Sequence, residues 1–372
     1  MSAPTNAGPI ARRRIRNSGL TGNRFVAPDD VVRWHLAMQA QEYGPAKWSI
    51  GQRSKGIDDA DVDAAITEGT IVRTHVLRPT WHFVARDDIR WLLAISGPRV
   101  RQGSSGRIRW LGLDARTLAR AEKIVSSALE GGNRLTREEL ATEFDRRKLD
   151  RGGQRMPYLL MHCELVGLIG SGGRKGKQHT YALLDERVPP DARPLDRDAA
   201  LTELVRRYLG SHGPATVKDM SWWSGFTMTD IRHAIDLLGD EVAGDEVDGL
   251  SFWSTSSERD RRPPAAGGAH LLQTYDELVV GYTESRFHGE AVGDLARQAW
   301  NDRTYPTGVF LLRGRVFGHW RRTIDPKRIR VAIHTYADVT GADRRAIEAG
   351  VKRFGRFVGL PVEVDLSRFH LS

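Results

Sequence analysis

The chain has 372 residues, of which 40% are hydrophobic, so it can form two or three domains with packed cores and is not a disordered protein. Its formal net charge of +9 favours a polyanionic partner without identifying one. The single cysteine, Cys163, excludes a disulfide framework and a cysteine metal site. No segment has the length and apolarity needed to cross a bilayer, and the N-terminus lacks the apolar run of a secretory signal. We therefore expect a cytoplasmic, nucleoid-associated protein with no membrane partner.

Residues 1–24 are interpreted as a basic N-terminal arm. The first acidic residue is Asp29, and five arginines precede it: Arg12, Arg13, Arg14, Arg16 and Arg24. Such a run suits contact with a phosphate backbone, and a solvated tail is the alternative.

Residues 25–112 are predicted to form a first winged-helix unit. Within it, "HLAMQAQEYGP" places Gln39 and Gln41 in apolar stripes of helical spacing. We expect a helix that carries both glutamines and ends at Tyr43-Gly44-Pro45. A buried amide without partners costs roughly 1 to 3 kcal/mol, so protein, water or substrate should bond each side chain. Two alternating strands, "TIVRTHVL" and "TWHFVA", and the helix "DDIRWLLAIS" complete the unit.

Two further winged-helix units are predicted, over residues 113–192 and 193–254. In the second unit, Thr136 and Glu139 have the spacing of a capping box, which indicates a helix start. The stretch "GSGGRKGKQHTYALL" that follows is typical of a basic hairpin, or wing. In the third unit, Thr227 and Asp230 suit a second capped helix, and "VDGLSFWS" suits its wing.

Residues 255–372 are predicted to be rich in strands. The strand patterns are "HLLQTYDELVVGY", "GVFLLRGRVFGHWRR", "RIRVAIHTYA" and "PVEVDL", with a helix before the last, and "RDRRPPAAGG" is expected to be a loop. We interpret them as one mixed sheet. The expected fold class is α+β, with three tandem winged-helix motifs packed around a small C-terminal β-rich region.

Several kinds of enzyme are disfavoured by missing motifs. No H-E-x-x-H, paired C-x-x-C or G-x-S-x-G occurs. The stretch "GSGGRKGKQ" departs from a phosphate-binding loop, because Ser171 replaces the first glycine and Gln178 replaces the hydroxyl that binds magnesium. We expect no metal and no cofactor.

Four stretches, in this order, resemble the AlkZ/YcaQ-like winged-helix DNA glycosylases over roughly residues 25–360. They are "MQAQEYGPAKWSIGQR", "IVRTHVLRPTWHFVARDDIRWLL", "YDELVVGY" and "VFLLRGRVFGHWRR". The family's catalytic motif is Gln-x-Gln in one branch and has Asp at the third position in another. Gln39-Ala40-Gln41 is similar to the Gln-x-Gln, AlkZ-like branch.

The resemblance implies that Gln39 and Gln41 are catalytic. It also implies a DNA glycosylase that removes bulky N7-alkylguanine adducts or interstrand crosslinks from duplex DNA, in self-resistance to an alkylating antibiotic. An amide is not a base near neutral pH, but its carbonyl can orient a water beside the sugar carbon. We therefore expect a monofunctional, metal-independent hydrolase with a water nucleophile.

Candidate DNA contacts lie around the turn between the two predicted strands, on the basic hairpin and in the C-terminal region. They are Arg73, His75, Arg78, Thr80, Trp81, His82, Arg174, Lys175, Lys177, Arg321 and Arg322. For each, an ordinary polar surface is the alternative, and for Trp81 the alternatives are a core residue and an intercalating wedge.

The competing function is a non-catalytic winged-helix DNA-binding protein, either a transcription regulator or an adduct-binding protein. The expected partner is double-stranded DNA that carries alkylated purines, and the expected oligomeric state is a monomer.

Overall fold

The structure is a computed structural model that describes residues 7–22, 25–188, 194–259, 267–288, 291–302 and 308–369. Within these residues the helices are α1 (Ala7–Asn17), α2 (Pro28–His35), α3 (Tyr43–Gly51), α4 (Asp59–Glu68), α5 (Arg86–Trp110), α6 (Ala115–Leu129), α7 (Arg137–Arg146), α8 (Arg155–Leu165), α9 (Leu184–Arg187), α10 (Arg197–His212), α11 (Val217–Ser224), α12 (Met228–Leu238), α13 (Ser256–Arg259), α14 (Glu277–Val280), α15 (Gly293–Asp302) and α16 (Gly341–Val358). The strands are β1 (Ala37–Gln39), β2 (Ile71–Val76), β3 (Arg78–Ala85), β4 (Leu135–Thr136), β5 (Ile169–Lys175), β6 (Gln178–Leu183), β7 (Val242–Val247), β8 (Leu250–Thr255), β9 (Ala269–Gln273), β10 (Gly308–Leu312), β11 (Arg315–Ile324), β12 (Ile329–Thr335) and β13 (Val362–Arg368).

The predicted helix through Gln39 and Gln41 is wrong. Helix α2 ends at His35, because Leu36 has a φ of 67°, outside the helical region. The chain then pairs with β3 as the short strand β1. All residues from 36 to 40 are buried, so the two-residue alternation that identifies a half-exposed strand is absent from this segment.

The expectation that Tyr43-Gly44-Pro45 ends a helix is also wrong. Tyr43 begins α3, and Pro45 lies in its first turn. Proline is tolerated there because N–H groups in the first turn have no partner within the helix.

The predicted helix starts and hairpins of the middle of the chain are confirmed. Thr136 and Glu139 form a capping box at the start of α7, and Thr227 and Asp230 form another at the start of α12. Strands β5 and β6 pair as an antiparallel hairpin, and so do β7 and β8.

The C-terminal region forms the mixed sheet that its sequence predicts. The strand order is β13-β12-β11-β10-β9, and all neighbours are antiparallel except β12 and β13. One segment differs, because "DELVVG" forms the helix α14, capped by the Asp276 side chain, and does not continue a strand. Residues 260–266 of the predicted loop lie outside the described residues.

The hydrophobic cores combine residues from segments that are far apart in the sequence. One core combines Val72 of β2, Leu204 of α10 and Leu272 of β9. A second joins Ile66 of α4 to Phe310 of β10. The mixed α/β body therefore places the small sheet β1-β3-β2 between the third helical unit and the C-terminal sheet. Among the described helices, none combines the length and apolarity that would cross a membrane.

Helix α1 turns part of the predicted basic arm inward. Arg14 is 3% exposed and donates hydrogen bonds to the carbonyls of Pro214 (2.9 Å) and Ser285 (3.0 Å). Arg14 is therefore neither available for a phosphate contact nor part of a solvated tail. Arg24 lies outside the described residues.

Candidate active site

The two glutamines lie at the edge of the small sheet. Gln39 is the last residue of β1, and the Ala40 N–H continues the pairing by donating to the Trp81 carbonyl at 2.7 Å. Gln41 follows two residues later, at a bend after the strand. Gln39 is 8% exposed, whereas Gln41 is on the surface.

The backbone of Gln39 is anchored by a buried carboxylate. Its N–H donates to Glu277 Oε1 at 2.6 Å. The other carboxylate oxygen accepts from Trp223 Nε1 at 2.8 Å and lies 3.3 Å from His212 Nε2. Burial would raise the pKa of Glu277, but its hydrogen bonds, first that of His212, lower the pKa to about 2. The carboxylate is therefore ionised near neutral pH.

The neighbouring carboxylate fixes Glu277 in place. Asp276 Oδ1 and Arg53 Nη2 are 2.7 Å apart, and both side chains are fully buried. Ser49 and Gln52 of the same helical segment also donate to Asp276, at 2.8 and 3.2 Å. A buried pair with this many hydrogen bonds ties the start of α14 to α3.

Gln39 belongs to a row of polar side chains that crosses the sheet. His82 of β3 lies opposite both Gln39 of β1 and Thr74 of β2, so the three side chains share a face. His82 Nδ1 is 2.9 Å from the Thr80 carbonyl, which can only accept, so the neutral ring carries its hydrogen on Nδ1 and a lone pair on Nε2. His82 Nε2 and the Thr74 hydroxyl are both buried and have no hydrogen-bond partner among the described residues. Burial, with the nearby Arg78 charge, lowers the pKa of His82 to about 3, so the ring is neutral at pH 7.

Arg78 brings a positive charge to the same face. Its Nη2 donates to Gln39 Oε1 over a long 3.4 Å. Burial lowers the pKa of Arg78, and the negative charge of Glu277 acts in the opposite direction. Thus the structure brings Arg78, Thr80 and His82 together beside Gln39.

The opposite face of the sheet carries the other predicted residues of β2 and β3. His75 Nδ1 and Trp81 Nε1 both bind the buried Glu164 carboxylate, the latter at 3.2 Å. The Arg73 guanidinium lies 4.5 Å from the centroid of the half-buried Trp81 ring. Hydrogen bonds connect them to the glutamine segment: Arg73 Nε donates to the Ala40 carbonyl at 3.0 Å, and the Trp81 backbone N–H donates to the Gln41 side-chain oxygen Oε1 at 3.4 Å.

The predicted basic hairpin approaches the glutamine segment with one of its three cations. Arg174 lies 5.9 Å from the Tyr43 ring centroid and 3.4 Å from Asp63. Lys175 pairs with Glu139 instead. Lys177 is exposed, with no ion pair to another described residue.

The two predicted arginines of β11, Arg321 and Arg322, are adjacent and therefore point to opposite faces of the strand. The Arg322 guanidinium lies 5.7 Å from the Trp320 ring centroid. Burial lowers the pKa of Arg322, and the carboxylate of Glu42, next to Gln41, opposes this shift. Arg322 is therefore close to the glutamine segment, whereas Arg321 is exposed on the other face.

A family model described as DNA glycosylase AlkZ-like matches residues 32–357. This chain belongs to the AlkZ-like DNA glycosylase family. The match contains the glutamine segment, both faces of the small sheet, α14 and most of the C-terminal sheet, so it confirms the family that the motif order indicated.

Two comparisons agree with the AlkZ-like assignment. An interstrand DNA cross-link repair glycosylase of Streptomyces sahachiroi is 23% identical over 282 residues, which are 72% of this chain and 75% of that protein. The solved structure of the DNA glycosylase AlkZ from Streptomyces sahachiroi superposes with a TM-score of 0.76 at 21% identity, covering 98% of this chain and 100% of that one. The second comparison shows that the fold is shared over the whole length.

The carboxylate that anchors Gln39 in this AlkZ-like chain was not predicted. Glu277 and Asp276 stand in "YDELVVGY", between apolar residues. Acidic residues within an apolar run are rarely buried without partners, so that pattern could have indicated a buried polar site. Their partners, Gln39 and Arg53, lie more than 200 positions away in the sequence, and no local pattern identifies them.

Proposed function

We propose that this chain hydrolyses the N-glycosidic bond of bulky N7-alkylguanine adducts or interstrand crosslinks in duplex DNA. The observation that carries the proposal is the Gln39-Ala40-Gln41 segment at the sheet edge, with the Gln39 backbone bound to Glu277 and its side chain facing Arg78. Gln39 and Gln41 are the catalytic residues. The enzyme is monofunctional, independent of metal, and uses water as its nucleophile.

The chemistry suits neutral amides. N7-alkylguanine is cationic, so when the bond between C1′ and N9 breaks, its electron pair neutralises the departing base. Water then forms the new bond to C1′ and releases a proton to solvent. The protein has to supply orientation and electrostatic support rather than a strong base.

The polar row beside Gln39 supports a water at this place. His82 Nε2 can accept a hydrogen bond and lies on the strand next to Gln39, and the Thr74 hydroxyl, one strand further along the same row, can donate or accept one. A buried site with several polar partners holds an ordered water. We therefore assign His82 to the support of Gln39 and not to direct contact with DNA, since only 1% of its surface is exposed.

The remaining cations provide the phosphate contacts in this proposal. Arg174 and Arg322 lie near the glutamine segment, while Lys175, Lys177 and Arg321 are on exposed surfaces of β5, the hairpin turn and β11. Such contacts position a duplex without reading its sequence. Arg73, His75 and Trp81 form the wall behind these contacts, because Glu164 and the Ala40 carbonyl hold them inward.

The arrangement of the chain in this proposal is three tandem winged-helix units, over residues 25–112, 113–192 and 193–254. The hairpins β2–β3, β5–β6 and β7–β8 supply their wings. Residues 255–372 form the β-rich region, and residues 1–24 precede the first unit. We propose a cytoplasmic, nucleoid-associated monomer.

The name of the Streptomyces relative supports interstrand crosslinks as substrate. The biological role in this proposal is self-resistance to an alkylating antibiotic. The test is the release of free modified base from duplexes that carry one defined N7-alkylguanine or one crosslink, with a chelator present. We expect a free base and an abasic strand. Tight binding of the adducted duplex without release would instead favour the non-catalytic DNA-binding protein.

A further inference from the structure

A cavity that the proposed reaction does not use lies away from the glutamines. It has a volume of about 460 Å³ and is enclosed by α16, the first residues of β9 and the loop at residues 20–22. Strand β9 separates it from the active site, because Ala269 lines the cavity whereas Gln273, at the other end of the strand, precedes Asp276 and Glu277.

His270 lines this cavity with a donor that has no well-aligned acceptor among the described residues, although the Gly267 backbone acts on the ring. A nitrogen of Arg353 lies 3.2 Å from His270 Nδ1. A guanidinium can only donate, so Nδ1 is the acceptor and the neutral ring carries its hydrogen on Nε2. His270 is 4% exposed, and its Nε2 has no hydrogen-bond partner among the described residues. Burial lowers the pKa of His270 to about 3, and the charges of Arg353 and Arg53 add to the effect, so the ring stays neutral.

Two further polar groups at this cavity have no hydrogen-bond partner among the described residues. Arg353 Nε is buried without an acceptor, and so is the Thr21 hydroxyl. Burial and the neighbouring Arg356 both lower the pKa of Arg353, and no carboxylate occurs among the described residues that line the cavity. The half-buried Arg353 thus keeps its charge without a carboxylate partner, although its Nη2 donates to the Ala269 carbonyl at 3.4 Å. The imidazole N–H, the guanidinium Nε–H and the hydroxyl are three donors at the wall of one cavity.

We infer that this cavity binds a phosphate-type oxyanion. Arg353 and Arg356 supply the positive charge, while His270 and Thr21 supply neutral donors. Gly268 and Ala349 leave the walls free of side chains that would fill the space. The oxyanion comes either from a DNA backbone phosphate or from a free phosphate ester. The inference does not depend on the glycosylase reaction.

The test is the melting temperature of the full chain in inorganic phosphate, against chloride at matched ionic strength. A ligand that binds the folded state stabilises it by mass action, so wild type should melt roughly 1–3 °C higher at about ten times the dissociation constant. Arg353→Gln removes the charge and should abolish most of this rise. Lys352→Gln is the matched control, because it removes an exposed charge from the same helix, and it should respond like wild type.

Ala349→Glu tests the site if Arg353→Gln does not fold. Ala349 is exposed on α16, and glutamate is a good helix former, so the variant should be stable. Its carboxylate should replace the anion and abolish the phosphate response. The inference is overturned if wild type shows no rise, or if Arg353→Gln and Ala349→Glu respond as wild type does.

The salt dependence of binding to undamaged duplex identifies the source of the anion. If a backbone phosphate fills the cavity, Arg353→Gln should reduce the slope of log K against log salt by about one. If the natural ligand is a free phosphate ester, the slope should match that of Lys352→Gln, although the melting response to phosphate is lost. Either result keeps the site and assigns its ligand.

Discussion

Replacing Glu277 with glutamine should remove the charged anchor of the Gln39 backbone while keeping the shape of the core. The carboxylate serves the Gln39 N–H, Trp223 Nε1 and His212 Nε2. An amide of the same shape has one acceptor oxygen, so its NH₂ group must face a buried donor. Hydrogen bonds to charged groups contribute about 1.5 to 3 kcal/mol each, and an unpaired buried donor costs about 1 to 3 kcal/mol. We expect Glu277→Gln to lose about 2 to 4 kcal/mol of unfolding free energy while remaining folded at low temperature.

Activity should fall more than this stability loss explains. A displacement of about 1 Å at a catalytic group can reduce the rate about 100-fold, and Gln39 loses its charged anchor. The assay is single-turnover base release at saturating enzyme, alongside urea denaturation. Trp223→Phe is the matched control, because it removes one bond to the carboxylate and keeps that of Gln39. The reasoning is refuted if folded Glu277→Gln releases base at the wild-type rate, or if Trp223→Phe is slowed as much.

Three further predictions follow from the same geometry. Thr74→Val removes a buried hydroxyl that has no partner among the described residues, so the melting temperature should be unchanged or higher. Base release should slow roughly 3- to 30-fold, because the proposed water loses one hydrogen-bond partner. A destabilised variant with the wild-type rate would contradict this. The pKa of His82 falls from 6.5 to about 3 on folding, so its stabilising contribution is complete above pH 6.5 and is lost as pH falls towards 3. Between pH 7.5 and 5 this loss is about 2 kcal/mol, so His82→Gln should reduce the pH-dependent fall in unfolding free energy by about that amount, while His270, whose pKa is also lowered to about 3, keeps its own share. An unchanged pH dependence would show that the His82 ring is not held neutral. Lys177→Gln and Arg321→Gln should each lower the slope of log K against log salt for duplex binding by about one, measured by fluorescence anisotropy, and unchanged slopes would remove those residues from the interface.

Elements with strong local signals could be predicted from the sequence. The capping boxes at Thr136 and Thr227 define helix starts within a few residues, and the hairpins have polar turns between alternating strands. Strand β1 could not be identified in this way, because it has three residues and both of its faces are covered. Its apolar stripes satisfied a helical spacing by coincidence, and only the positive φ at Leu36 and the pairing with β3 decide the conformation.

The candidate site, too, could be predicted from the sequence only in part. The order of motifs identified Gln39 and Gln41 as catalytic candidates, and this assignment stays a prediction. Which face each neighbour occupies depended on strand register, so Arg73, His75 and Trp81 were grouped with Arg78 and His82 although the sheet separates them. The anchor of Gln39 depended on Glu277, a contact between residues 238 positions apart.

The most direct test of the account is the single-turnover rate at which Gln39→Ala and Gln41→Ala release N7-alkylguanine from a duplex with one defined adduct. If the amides orient the attacking water, each variant should bind the duplex normally and release base about 10- to 1000-fold more slowly than wild type. Wild-type rates in both folded variants would contradict the assignment of the glutamine segment as the catalytic site.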